Sequence, residues 1–153
     1  MGKYTAPVYD RLILPAQVFL TLGQERELHG KRLPVPAGLP IQMVIDTGAG
    51  RSCLTPFILN RLKPTDREEV FLMTGLGRVR TKLFWVRLEF PGTNLEPVAN
   101  LAVAELRLPS NLPGFHGILG RDILSRWESL HWQGRRGRLT IRDVPGWFSW
   151  LGR

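Results

Sequence analysis

Asp46, Thr47 and Gly48 follow one another in the stretch VIDTGAG, residues 44–50, directly after an apolar run. A carboxylate in that place can do chemistry if a second one stands beside it. Two close carboxylates hydrolyse a peptide bond without a metal or a covalent nucleophile: the ionised one takes a proton from water while the neutral one polarises the scissile carbonyl. Like charges at that distance resist joint ionisation, so the pair shares one proton and titrates as a unit. Each Asp must sit on a tight, rigid turn, where a glycine lets backbone groups approach the carboxylate and a neighbouring hydroxyl can tie two such turns together. Asp46, Thr47 and Gly48 supply those parts in that order. The triplet alone is equally what an ordinary strand-ending turn would use, and the surrounding elements must decide between the two.

The run before it, IQMVI (41–45), is almost continuously apolar and predicts a strand buried on both faces that ends at Asp46. RLILPAQVFLTL (11–22) predicts two strand segments interrupted by Pro15, and GKRLPVPAGLP (30–40) a turn-rich connection closed to helix. Thr55 and Pro56 fit the N-cap and first position of a short helix reaching about Leu62. EEVFLM and VRTKLFWVRLEF, within 68–90, predict a long β-hairpin with Gly75 and Gly77 at its tip, and LAVAEL (101–106) a further strand. In RDILSRWESL (121–130), Ile123, Leu124, Trp127 and Leu130 recur at helical spacing and predict a helix. A strand pair follows around the GRRG turn, with LTIR (139–142) as its second arm. The 12 prolines and 16 glycines fall between short apolar runs, which is the punctuation of an all-β chain. No repeat or linker divides it, so residues 1–153 are expected to form one domain.

The D-T-G-A of Asp46 to Ala49 after an apolar run, followed some seventy residues on by FHGILGRDIL (115–124), resembles the retropepsin-like aspartic proteases, the family of the retroviral enzymes and their cellular and bacterial relatives. The resemblance runs from about residue 41 to about 131. It implies a closed all-β acid-protease barrel with a flap hairpin and one short C-terminal helix. It also implies Asp46 as the catalytic residue, with Thr47, Gly48 and Ala49 as its support. Ile118, Leu119 and Gly120 would pack beside the catalytic loop, and Met73, Thr74, Gly75, Leu76 and Gly77 would form the substrate-binding flap. Retroviral members usually carry an acidic residue just after D-T-G-A, where this chain has Gly50, so no ion pair from Arg121 to that position is expected. None of Asp10, Asp66, Asp122 or Asp143 precedes a Thr-Gly or Ser-Gly pair, so the second carboxylate must come from another molecule. By resemblance, two copies meet about a two-fold axis with Asp46 of each at its centre, and a polypeptide is the substrate. Chain termini often contribute to that interface in the family. The tail VPGWFSWLGR (144–153), with Trp147, Phe148 and Trp150, would serve there or pack on its own subunit. A noncatalytic peptide-binding or dimerisation module on the same fold is the alternative, because a fold does not guarantee an activity.

Lys and Arg outnumber Asp and Glu by 21 to 13, and the resulting charge of +8 would attract acidic partners. The basic residues are spread along the chain, with only GRRGR (134–138) clustered, a distribution that argues against a nucleic-acid module. Cys53 is the single cysteine, so no internal disulfide forms, and its apolar setting marks a small buried hydrophobe rather than a nucleophile. His29, His116 and His131 lack metal-ligand spacing; no metal and no cofactor is expected. His116, just before Gly-Ile-Leu-Gly, is a candidate neighbour of the site, and Phe84, Trp85 and Trp127 read as core. MGKYTAPVYDRL has charges and a proline where a secretory signal needs an apolar run, and no segment approaches a membrane span. A cytoplasmic protein with no membrane partner is the expectation.

Overall fold

The computed structural model describes residues 2–7, 11–75, 77–107 and 114–143. Among these, ten strands and three α-helices follow in the order β1 (Gly2–Pro7), β2 (Ile13–Phe19), α1 (Leu22–Gly30), β3 (Leu39–Ile45), β4 (Cys53–Leu54), α2 (Pro56–Leu62) and β5 (Asp66–Thr74). The second half runs β6 (Gly77–Glu89), β7 (Val98–Glu105), β8 (Gly117–Leu119), α3 (Arg121–Leu124), β9 (Ser129–Gln133) and β10 (Arg138–Asp143), with a 3-10 turn at Gly134–Arg136. No helix among the described residues is long and apolar enough to cross a membrane.

The larger sheet has seven strands in the order β2-β3-β8-β4-β7-β6-β5. It curls until β2 meets β6, but only from Gln17↔Glu89 to Phe19↔Arg87. The chain leaves β2 at Leu20 to enter α1, so this seam is short and the closed barrel expected from the sequence is not completed. The smaller sheet, β1-β10-β9, sets Leu139 and Ile141 of β10 into the same apolar cluster as Leu14, Met43 and Leu119 of the larger one.

Local physics explains where the elements depart from the pattern reading. β2 is one strand and not two: Leu14, Ala16 and Val18 point inward while Pro15 is exposed. Its pairing to β6 begins only at Gln17, so Pro15 lies where one edge of β2 is free and a missing N–H is tolerated. β3 buries Ile41, Met43 and Ile45 but exposes Gln42 and half-exposes Val44, so it is buried on one face rather than both. α1 was not expected at all. It buries no residue and has no apolar stripe to betray it. It is started by a capping box in which the Thr21 hydroxyl accepts the Gln24 N–H and the Gln24 side chain accepts the Thr21 N–H, each at 3.3 Å. An ion pair from Glu25 to Arg87 at 3.0 Å then moors it to β6. α2 starts at Pro56 and buries Ile58, Leu59 and Leu62. Thr55 holds the N-cap position with no side-chain capping bond.

The helix expected over 121–130 is only Arg121–Leu124. Ser125 ends it, Trp127 turns into the core, and Leu130 pairs with Ile141 across β9 and β10. Apolar residues at helical spacing are satisfied here by a turn and a strand facing one core. Trp127 is 8% exposed and meets Phe90 edge to face, with ring centroids 6.0 Å apart. Replacing it by alanine empties a large site against rigid sheet residues. Trp127→Ala is expected to lower the unfolding free energy by about 3–5 kcal/mol, read as a shift of the urea midpoint at unchanged slope.

Candidate active site

β3 delivers Asp46, and its two neighbours fix the backbone there. The Ile45 N–H donates to the Leu12 carbonyl at 2.8 Å, and the Asp46 N–H to the Leu119 carbonyl at 3.0 Å. The second bond extends the parallel pairing of β3 with β8, in which Ile45 stands opposite Leu119. The chain then turns sharply. The Gly48 N–H donates to Asp46 Oδ1 at 2.8 Å, and the Ala49 N–H to the Asp46 carbonyl at 3.2 Å. A Cβ on residue 48 would stand 3.1 Å from that same Oδ1, so the glycine keeps the approach open. Asp46, Thr47 and Gly48 are exposed and Ala49 is half-buried. The Thr47 hydroxyl has no partner among the described residues.

Behind the turn lies a polar hub. Ser52 is fully buried and its N–H donates to both carboxylate oxygens of Asp122, at 3.0 and 2.9 Å. Its hydroxyl donates to Asp122 Oδ1 at 2.7 Å and accepts the Gly120 N–H at 3.0 Å. The Arg121 N–H donates to the Ala49 carbonyl at 2.8 Å, which locks the start of α3 to the far side of the turn. Gly120 is required by contact: a Cβ there would lie 2.6 Å from the Arg51 carbonyl carbon, and backbone cannot yield as a side chain can. Ile118 and Leu119 thus run beside the Asp46 turn and Gly120 packs under it.

Above the turn, the β5–β6 hairpin arches over a cleft of about 320 Å³. Asp46, Gly48 and Ala49 form one side and Met73, Thr74 and Gly75 the other. Ile118, Leu72, Leu106 and Cys53 add apolar wall. Gly77 stands opposite Thr74 in the hairpin register, and the Thr74 hydroxyl donates to its carbonyl at 2.9 Å. Leu76 lies outside the described residues, as does the tail from 144 onward. Met73 is 79% exposed and Phe71 57%, the latter with the Arg78 guanidinium 3.7 Å above its ring, so the hairpin carries exposed apolar surface.

Other residues fall into place around the cleft. Arg51 lines it, with Nη1 donating to the Ala102 carbonyl at 3.3 Å, and the Arg121 guanidinium leans over Gly50, 3.6 Å from where a Cβ would be. His116 is not part of the cleft lining. Its Nδ1 accepts the Gln42 N–H at 2.9 Å, and burial lowers its pKa, so it is held as a neutral acceptor joining β3 to the segment before β8. His29 and His131 are exposed, and among the described residues no three His, Cys, Asp or Glu side chains group to hold a metal. Phe84 is half-buried and packs against the core, while Trp85 is half-buried outside it, with its carbonyl accepting from Gln24. Sequence reasoning missed Ser52 and passed over Asp122. The available signal was a small hydroxyl residue amid apolar ones, three residues before the predicted N-cap at Thr55.

The sequence matches no known family model and no curated protein. The shape does find counterparts. A retropepsin-like aspartic protease from Rickettsia conorii superposes with a TM-score of 0.56 at 12% identity, covering 95% of each chain. The fold is retropepsin-like. A second structure, the EIAV protease complexed with the inhibitor HBY-793, gives a TM-score of 0.49 at 22% identity over 77% of this chain and 91% of the other.

Two outcomes are expected. Ser52→Ala removes a buried donor to a carboxylate and strands the Gly120 N–H, so stability should fall by about 2–3 kcal/mol in urea unfolding. Cys53 is 5% exposed, and its thiol is pushed up to about 11 by burial first and by the Asp122 carboxylate second, with Arg51 opposing. The reactive thiolate is therefore scarce at pH 8, and alkylation by iodoacetamide should run at least about a hundredfold slower than for an exposed cysteine. It should speed up about tenfold per pH unit until pH approaches the thiol's own value, a slope readable by mass spectrometry.

Proposed function

We propose that residues 1–153 work as one domain that pairs with a second copy to make an aspartic endopeptidase. A water held between the two Asp46 carboxylates attacks the peptide bond. The observation that carries this reading is the Asp46 turn. It is an exposed carboxylate, braced by backbone hydrogen bonds on both sides, facing a hairpin across a cleft whose remaining wall is Arg51 and the apolar Cys53, Leu72, Leu106 and Ile118. A strand-ending turn needs none of the hub behind it.

The chain supplies one such carboxylate, and acid–base hydrolysis without a metal needs two. A two-fold axis at the turn supplies the other. The exposed Thr47 hydroxyl is then available to bond across the axis, and the exposed Met73 gains a surface to bury against. A polypeptide binds extended, as an added strand between the hairpin backbone above and Gly48 below, with apolar side chains against Leu72, Leu106 and Ile118. One carboxylate of the pair is ionised and removes a proton from the water, while its protonated twin donates to the scissile carbonyl oxygen. The proton taken from water then passes to the leaving amine as the tetrahedral diol collapses, and one hydroxyl of the diol returns its proton to the twin.

The test is Asp46→Asn. It should lower kcat/KM on an acid-soluble peptide library at least about a hundredfold while sedimentation still gives a dimer. Undiminished cleavage by that variant would refute the assignment. A wild-type dimer that binds peptides yet cuts none over the acid range would establish the noncatalytic module instead.

A further inference from the structure

A concavity of about 450 Å³, larger than the cleft at Asp46, lies on the outer face of the β1-β10-β9 sheet. Alternation along the strands decides what that face presents. Tyr4, Leu139 and Ile141 turn inward, with Leu139 and Ile141 fully buried. Their neighbours turn outward. Lys3 stands directly opposite Arg142, Thr5 opposite Thr140, and Arg138 opposite Gln133. Arg136 of the 3-10 turn joins them at the rim.

The fold thus gathers a lysine from the chain's beginning and three arginines from its end onto one small face. All four are exposed, and none has an ion-pair partner among the described residues. No carboxylate lines the concavity. Like charges directly opposite in an antiparallel pair destabilise it, so Lys3 against Arg142 is a cost that the strand pairing itself does not require.

We infer that this face binds the phosphate backbone of a nucleic-acid duplex. The residue types select that ligand from other polyanions. The face offers guanidinium and ammonium groups interleaved with the hydroxyls of Thr140 and Ser129 and the amide of Gln133, which are the donors that contact phosphate and sugar oxygens. It offers no apolar anchor, which an acidic protein segment would need for a stable contact. Apart from the exposed His131 imidazole it offers no aromatic ring, and no Phe, Tyr or Trp of the kind on which single-stranded binders stack successive bases. Arg138 and Arg142 lie four residues apart on one strand, a span of roughly 13 Å, so the footprint covers a few phosphates and reads no sequence. A second copy cannot be the occupant, since it would set the same cations face to face.

The test uses the full chain and a fluorescent 20-base-pair DNA duplex in anisotropy titrations at several salt concentrations. With about four phosphates neutralised, log Kobs should fall with log salt at a slope of roughly −3 to −4. The triple variant Lys3→Gln/Arg138→Gln/Arg142→Gln should bring the slope to about −1, while circular dichroism shows the fold retained. The control Arg26→Gln/Arg61→Gln/Arg107→Gln removes the same charge from exposed positions elsewhere and should leave the slope nearly unchanged. Equal losses in the two triple variants would show diffuse attraction by net charge and overturn the inference. So would binding of polyglutamate as tightly as the duplex, or no binding at low salt.

Discussion

The hydrogen bonds between Ser52 and Asp122 join two segments that stand 70 residues apart in the chain, and most of the site's geometry depends on them. Asp122 is at the start of a four-residue helix that could not hold its own position. Ser52 ends a turn rich in small residues that has little packing of its own. Each becomes rigid through the other. The serine hydroxyl uses its lone pair for the Gly120 N–H and its proton for the carboxylate, so the two segments converge on one buried oxygen. The bonds are charge-assisted and shielded, conditions under which a hydrogen bond has its largest effect. Asp46 inherits its orientation from this hub: its own contacts, Gly48 in front and Leu119 beside, lie on the segments that the hub clamps.

The same molecule leaves polar groups unsatisfied at its surface where burial would have been easy to arrange. The Asp46 carboxylate has only one hydrogen bond from within the described chain and otherwise faces solvent. The outer face of β1-β10-β9 sets a lysine against an arginine. Local rules of consistency are broken at these two places, while the core between them is apolar and well ordered, with both sheets contributing. Departures of this kind are informative because folding stability alone would remove them.

The sequence disclosed the strands that alternate or carry turn signals. The hairpin of β5 and β6, the short helix after Pro56 and the pair around GRRG are all found where their residues indicate. The D-T-G turn and the Gly-Ile-Leu-Gly segment were legible as well, and the fold places them side by side. Four features were not legible, for three separate reasons. Helix α1 lies on the surface with no apolar period, and only the Thr21 to Gln24 capping box marks it. The helix over 121–130 was misjudged because apolar spacing cannot tell a helix from a turn that leads into a strand when both face one core. The hub at Ser52 and the basic face are products of long-range contact: nothing near Lys3 announces Arg142, and nothing near Ser52 announces Asp122.

The parallel alignment of β3 with β8 has a consequence for when the molecule becomes competent. Residues 43–45 pair with residues 117–119, so a large loop must close before either strand gains its neighbour. Loop closure of this length is an entropic obstacle that local contacts do not offset, and such pairings form late along a folding route. During synthesis the turn that bears Asp46 emerges from the ribosome long before its brace exists. A nascent chain therefore carries a loose, uncommitted acid, and whatever power the finished assembly has is withheld until residues 117–122 have emerged.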